Sequence, residues 1–182
     1  MRVIGLAGWS GAGKTTLIVK LIPYLREKGL TVSTVKHAHH AFDVDKPGKD
    51  SYVHREAGAS EVLISSANRW ALVHELRGAK EFSLRELLQR LSPVDLVLVE
   101  GFKTSPHAKI EIHRAENAKP YLFPNDPTIV ALASDVNAPP STAIQFASLG
   151  DVAAVATVIS DMAKPLQETL AALASGETAQ NS

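Results

Sequence analysis

Eight consecutive residues near the amino terminus have the types and spacing needed to hold a nucleotide phosphate. Gly8-Trp9-Ser10-Gly11-Ala12-Gly13-Lys14-Thr15 fits the phosphate-loop pattern G-x-x-x-x-G-K-[ST]. Glycines allow successive backbone N–H groups to surround an anion, and a following helix adds partial positive charge. The residues that we expect to bind the phosphates here are Ser10, Gly11, Ala12, Gly13, Lys14, Thr15 and Thr16.

The same pattern predicts catalytic and metal-binding chemistry. Lys14 would reach the β- and γ-phosphates, and the Thr15 hydroxyl would ligate Mg²⁺. A further carboxylate is expected near the metal, and Asp95 and Glu100 flank one apolar run. Five strand residues separate them by about 16 Å, so only one can reach the site. Ligands bind at the carboxyl ends of parallel strands, so we assign Glu100 to Mg²⁺ and to orienting an attacking water.

The segment from Asp43 to Ser51 mixes both charge signs around Pro47-Gly48. Two interpretations remain open for it. It would either fold over the nucleotide, with Lys49 or Asp50 near the γ-phosphate or Mg²⁺, or form a solvated loop that caps the next helix. Lys49 and Asp50 are therefore included among the candidate nucleotide-binding residues.

A histidine-rich stretch follows the second predicted strand. His37, His39 and His40, together with Asp43 and Asp45, offer imidazole and carboxylate ligands for a divalent ion. Their spacing fits no compact zinc pattern, which favours a solvated functional loop.

The sequence does not decide which base is recognised, because the guanine motif Asn-Lys-x-Asp is absent. Asp135 would either accept hydrogen bonds from guanine or simply cap a turn.

Alternating strands and helices must position these side chains. Short apolar runs predict strands at 3–7, 31–35, 61–65, 70–74, 95–100, 109–113 and 128–133. Helical spacing or capping predicts helices from Thr16 and over 51–57, 83–91 and 150–162. We therefore expect an α/β fold: a mostly parallel sheet flanked by helices, with a small antiparallel extension at 61–74. The pattern of 109–113 is typical of an edge strand, and Trp70 is expected in the core.

Composition limits the function classes. The chain has 182 residues, 45% hydrophobic and 21% charged, which is typical of one globular domain. We expect that domain over 1–165, with a partly disordered tail over 166–182. Lys+Arg and Asp+Glu both number 19, which argues against nucleic acid or an anionic membrane as partner. There is no cysteine, signal peptide or apolar run of membrane-spanning length, so we expect a cytoplasmic location.

Several motifs together resemble the molybdopterin-guanine dinucleotide biosynthesis adapter proteins, the MobB family of the P-loop NTPase superfamily. Besides the phosphate loop, these motifs are 35–40 (VKHAHH), 43–52 (DVDKPGKDSY), 69–72 (RWAL), 95–103 (DLVLVEGFK) and 109–114 (KIEIHR). The resemblance implies a homodimeric GTP-binding protein with weak Mg²⁺-dependent GTPase activity. It would assist the guanylyltransferase that joins GMP to molybdopterin, and it would contact molybdopterin-bearing proteins. The resemblance also implies phosphate binding by Gly11 to Thr16 and Mg²⁺ binding by Glu100.

Two other functions compatible with a phosphate loop are a small-molecule kinase and a metal-delivery GTPase. A kinase would need clustered arginines to clamp the transferred phosphoryl group. The arginines are scattered along this sequence, which counts against a kinase. The three histidines of the 37–40 stretch are the argument for metal delivery.

Overall fold

The computed structural model describes residues 1–38, 42, 44–138 and 143–180, with only the backbone described for the last three. The strands of the main sheet are β1 (Arg2–Ala7), β2 (Val32–Lys36), β5 (Leu96–Glu100), β6 (Lys109–His113), β7 (Ile129–Ser134), β8 (Gln145–Ser148) and β9 (Lys164–Pro165). Six of them are parallel, in the order β2-β5-β1-β6-β7-β8, and the short β9 pairs antiparallel with β1. The flanking helices are α1 (Lys14–Glu27), α3 (Leu84–Leu88), α4 (Val152–Met162) and α5 (Leu166–Gln180).

Helices cover both faces of this sheet, as continuous apolar strands require. On one face, Ile4 and Leu98 pack with Leu21 of α1 and Ile159 of α4. On the other face, alternate residues of the same strands pack with α3 and α5; they include Val3, Val97, Leu88 and Leu173. The predicted fold class is confirmed: a mostly parallel sheet flanked by helices, with a separate small antiparallel sheet.

The prediction that 109–113 is an edge strand is wrong. β6 lies between β1 and β7, and all five of its residues are buried. Partners outside the strand satisfy its two charged side chains. The Lys109 ammonium donates to the Ser105 carbonyl at 2.7 Å and lies 3.5 Å from Asp126 Oδ2. Glu111 accepts hydrogen bonds from the backbone N–H groups of Leu122 and Phe123, each at 2.9 Å. Paired in this way, charged residues can occupy the interior of a sheet.

The segment expected to be a tail from residue 166 is instead largely helical. α5 runs from Leu166 to Gln180, and Leu173 is buried in the core beneath it. β9, which precedes α5, pairs with the start of β1, so this part of the chain belongs to the fold. Many residues of α5 are small, and some of these are good helix formers. The helix packs on the sheet because Leu166, Leu170 and Leu173 form an apolar stripe along one side of it.

Residues 38–83 form a second compact unit, while 1–37 and 84–182 form the first. The second unit contains α2 (Asp50–Glu56) and the antiparallel pair β3 (Glu61–Ser65) and β4 (Trp70–His74), with the strand bounds that the sequence predicts. Arg55 organises this unit by binding Asp45 at 3.1 Å and Glu75 at 3.2 Å. Trp70 is 66% exposed, so its expected place in the core is wrong. Across the described ranges, no helix is long and apolar enough to span a membrane.

Candidate functional site

The loop between β1 and α1 has the backbone conformation that its glycines allow. Gly8, Gly11 and Gly13 have φ values of 146°, 81° and 90°, which side-chain-bearing residues adopt only with strain. Gly13 is the residue immediately before α1, and the first turn of that helix contains no acidic residue. The positive end of the helix dipole is therefore not neutralised within its own first turn. This arrangement suits an anion such as a nucleotide phosphate.

Lys14 closes the base of this loop. Its ammonium group donates to the carbonyl oxygens of Gly8 at 2.8 Å and Trp9 at 2.9 Å. An ammonium has three donors, so one proton stays available for a phosphate oxygen. Burial lowers the pKa of Lys14, and the nearby Glu100 carboxylate opposes that shift. The loop carbonyls thus fix a cation at the place where phosphate charge is expected.

The two predicted metal ligands lie side by side. The Thr15 hydroxyl donates to Glu100 Oε1 at 3.0 Å. β5 lies between β1 and β2, and its register pairs Glu100 with both Leu6 and Lys36, which brings this carboxylate to the edge where the loop begins. The Lys36 ammonium lies 3.7 Å from Glu100 Oε2. The roles of Thr15 and Glu100 as metal ligands stay predictions.

The donor set fits Mg²⁺. A hydroxyl and a carboxylate are hard oxygen ligands, and Mg²⁺ is commonly held by one or two protein groups together with substrate phosphates and water. Within the described ranges, no group of three or more His, Asp or Glu side chains forms a metal cage. An ion shared between Thr15, Glu100 and phosphate oxygens is consistent with both observations.

Asp95 serves the opposite end of β5. Its Oδ2 accepts hydrogen bonds from the Thr31 backbone N–H at 2.8 Å and from the Thr31 hydroxyl at 2.6 Å. These bonds lower the pKa of the Asp95 carboxyl. Asp95 therefore fastens the start of β2 to β5, and of the two acids that flank β5 it is Glu100 that lies at the loop.

Other predicted residues lie at different places. Ala12 is buried, while Ser10, Gly11 and Thr16 are exposed along the loop and the first turn of α1. Lys49 and Asp50 belong to the second unit, where Lys49 immediately precedes α2 and Asp50 is its first residue. Their contact with a nucleotide stays a prediction. Of the proposed histidine site, His39, His40 and Asp43 lie outside the described residues.

A segment whose position the sequence did not predict lies across the phosphate loop. We call residues 114–121 the crossing segment. The Trp9 indole N–H donates to the Pro120 carbonyl at 2.9 Å, and the Asn117 amide donates to the Ser10 carbonyl at 3.4 Å. This segment was missed because β6, which precedes it, was expected at the edge of the sheet. A residue that follows an interior parallel strand necessarily emerges at the ligand-binding edge.

Polar side chains hold the crossing segment in place. The two His113 ring nitrogens lie 3.2 Å from Ser134 Oγ and 3.2 Å from the Lys119 carbonyl oxygen. Glu111 binds the backbone just beyond the segment, and burial raises the pKa of its carboxyl. Asp135 Oδ1 accepts from the Ala115 backbone N–H at 2.9 Å. The possible guanine acceptor therefore already uses one carboxylate oxygen, and its role in base recognition stays a prediction.

The comparison with known families covers most of the chain. Residues 3–135 match the family described as Molybdopterin guanine dinucleotide synthesis protein B. The chain is 42% identical over 160 residues to the molybdopterin-guanine dinucleotide biosynthesis adapter protein of Escherichia coli (strain K12), covering 86% of this chain and 90% of that protein. It is 46% identical over 135 residues to the protein of that name from Haemophilus influenzae, covering 73% and 74% of the two chains.

Solved structures agree with this assignment. A crystal structure of molybdopterin-guanine biosynthesis protein B superposes with a TM-score of 0.68 at 26% identity, covering 87% of this chain and 98% of that one. The crystal structure of Bacillus subtilis MobB also gives 0.68, at 25% identity, covering 89% and 98%. The sequence match and the shared fold lead to one conclusion: this chain belongs to the Molybdopterin guanine dinucleotide synthesis protein B (MobB) family.

Proposed function

We propose that this protein is a GTP-binding adapter in molybdenum cofactor biosynthesis. It assists the guanylyltransferase that attaches GMP to molybdopterin, and it acts in the cytoplasm. The family membership and the names of its relatives support the adapter role. The main support for nucleotide binding is that Lys14, Thr15 and Glu100 lie together at the phosphate loop. The Lys14 ammonium suits a phosphate, and the Thr15 hydroxyl and Glu100 carboxylate suit Mg²⁺.

Mg²⁺ would be held by the Thr15 hydroxyl and the Glu100 carboxylate, and when bound it would neutralise phosphate charge. The Lys14 ammonium, held by the carbonyl oxygens of Gly8 and Trp9, would use its remaining N–H to bind the β- and γ-phosphate oxygens. Glu100 would also orient a water molecule for slow hydrolysis of GTP. We propose weak GTPase activity as an accompaniment to nucleotide binding, with the adapter role as the main function.

We further propose that the protein is a homodimer. The β3–β4 hairpin supports this proposal because one of its faces is apolar and exposed. Leu63 pairs with Leu72 and Ser65 pairs with Trp70, so Leu63, Leu72 and Trp70 point to the same side. Their exposed fractions are 63%, 47% and 66%, and a contiguous exposed apolar patch of this kind favours a protein interface.

The adapter role is tested by reconstitution with a purified guanylyltransferase, molybdopterin, GTP and Mg²⁺. The measurement is the rate at which GMP is joined to molybdopterin. We expect the wild-type protein to raise this rate and the Lys14→Ala variant to raise it far less. An unchanged rate at every adapter concentration, together with no binding of the guanylyltransferase, would rule out the adapter proposal.

A further inference from the structure

Arg114, the first residue of the crossing segment, places its guanidinium group against the phosphate loop. A methyl group built on Gly13 would lie 3.0 Å from Arg114 Nε and 3.3 Å from Nη2. Gly13 immediately precedes Lys14 and the start of α1. The guanidinium is therefore in contact with the backbone at the point where the loop meets the helix amino terminus.

Among the described residues, no carboxylate forms an ion pair with Arg114. Within the described part of the chain, its side chain takes part in no hydrogen bond or ion pair. The side chain is only half-buried. A guanidinium carries five donors, and a half-buried one that lacks any protein partner retains its capacity to bind an anion.

The backbone that carries Arg114 is held on both sides. Its carbonyl oxygen accepts from the Asn117 N–H at 3.2 Å, and the next N–H, that of Ala115, donates to Asp135. The preceding His113 is buried in β6. The backbone of Arg114 is thus fixed by the sheet, so only the side chain has to be ordered when an anion binds.

The sheet order distributes positive charge on both sides of the loop. Lys36 is the last residue of β2 and Lys103 follows β5, on one side of β1, and both charges lower the pKa of Lys14. Arg114 follows β6, on the other side of β1. Lys14 lies between them, and Glu100 is the carboxylate that opposes this charge at Lys14. A phosphate chain in the loop would therefore have cations on both flanks.

We propose that Arg114 is a second cation of the phosphate site, which binds the phosphate chain of a nucleoside diphosphate or triphosphate from the β6 side. This inference rests on the proposed nucleotide binding and adds a residue to that site. A purely structural role, in which Arg114 only packs on Gly13, would make nucleotide affinity independent of the charge at position 114.

Calorimetric titration with GDP, GMP and guanosine separates the two roles. Arg114→Gln removes the charge and keeps much of the stem, so we expect GDP affinity to fall roughly tenfold or more, as for a lost charged hydrogen bond. GMP should lose less, and guanosine should bind as it does to the wild type. Arg114→Lys should retain most of the GDP affinity of the wild type. The salt dependence of GDP binding should be weaker in Arg114→Gln than in the wild type or in Arg114→Lys.

Arg26→Gln is the matched control, since it removes the same charge from the last turn of α1, about 20 Å from the loop. Equal GDP affinity of Arg114→Gln, Arg26→Gln and wild type would overturn the inference and leave the proposed function intact. Absence of guanine nucleotide binding by the wild type would overturn both.

A measurement on the wild-type protein covers the case in which Arg114→Gln does not fold. Phenylglyoxal modifies exposed guanidinium groups, and mass spectrometry locates the modified residues. We expect saturating GDP with Mg²⁺ to slow modification of Arg114 severalfold and to leave Arg26 unchanged. Equal rates at Arg114 with and without GDP would contradict the proposal.

Discussion

Two carbonyl oxygens hold the Lys14 ammonium at the base of the phosphate loop, so this cation is positioned before any ligand arrives. Such preorganisation removes part of the entropic cost of binding. We therefore expect Lys14→Ala to lose most of its nucleotide affinity, on the order of a hundredfold for a buried charged contact. Calorimetry measures the affinity, and thermal unfolding verifies that the variant is folded.

Lys20→Ala provides the control for that experiment. Lys20 lies on the same helix, α1, and is exposed beyond the loop. It should bind nucleotide like the wild type. If Lys14→Ala also bound with wild-type affinity, the assignment of residues 8–15 as a phosphate-binding loop would be wrong.

Glu100 is expected to act through Mg²⁺. The neutral Glu100→Gln side chain keeps the shape of the carboxylate and its hydrogen bond with Thr15, but it is a poorer ligand for a hard cation. We expect the gain in GDP affinity on adding Mg²⁺ to shrink, and hydrolysis to slow more than binding weakens. Titrations with Mg²⁺ and with EDTA measure this difference.

Asp95→Asn is the comparison for Glu100→Gln, because it changes the same charge at the other end of β5. It should leave the Mg²⁺ dependence unchanged. Wild-type Mg²⁺ dependence in Glu100→Gln would contradict the assignment of Glu100 to the metal.

At the scale of elements, β6 and the residues around it illustrate what the sequence pattern shows and what it does not. Residues 1–16 and the β5 run are predictable because their apolar strands and glycine spacing are local features. The interior position of β6 is not predictable in this way. The charges of Lys109 and Glu111 are paired or hydrogen-bonded with groups 4 to 17 residues away in sequence. Periodicity counts such residues as exposed. For the same reason the contact of Arg114 with the loop was not predicted, since it depends on β6 lying beside β1.

Neither the helix over 166–180 nor the exposure of Trp70 was predicted. α5 has few large apolar residues; Leu166, Leu170 and Leu173 do have helical spacing, but their packing against the sheet is a tertiary feature. Trp70 was expected in the core on hydrophobicity alone, although it lies on the exposed face of the hairpin. An apolar residue indicates burial only when the assembly that could bury it is known.

The residue two before β6, His107, makes a prediction about pH. Its side chain is 1% exposed, and neither ring nitrogen has a hydrogen-bond partner among the described residues. Burial, together with the charge of Lys109, lowers its pKa from 6.5 to about 4. The unfolded chain therefore binds the proton more readily than the folded protein as pH falls below 6.5. The free energy of unfolding contributed by this residue should fall by about 2 kcal/mol between pH 7 and pH 5.

Urea denaturation at the two pH values tests this expectation. His107→Leu should lack the additional loss of stability between pH 7 and pH 5, whereas His54→Leu, at an exposed position of α2, should retain it. If His107→Leu and the wild type lost equal stability over this interval, the buried neutral imidazole would not be the cause.

For the whole molecule, the proposed homodimer predicts that a charge on the apolar face of the β3–β4 hairpin breaks the assembly. We expect the wild type to scatter light as a dimer, and Leu72→Glu to scatter as a monomer, because burying an unpaired carboxylate in an interface is costly. Val19→Glu adds the same charge at another exposed apolar residue, 66% exposed on α1, and should remain dimeric. A wild type that stays monomeric at high concentration would contradict the homodimer.

The proposed function depends on GTP binding at the loop between β1 and α1. Calorimetric titration of the purified protein with GTP, GDP and ATP in the presence of Mg²⁺ measures this binding. We expect measurable affinity for GTP and GDP, a clear preference over ATP, and dependence on Mg²⁺. A preference for ATP would contradict this expectation and favour a kinase, while no binding of any of the three would remove nucleotide binding from the proposed function.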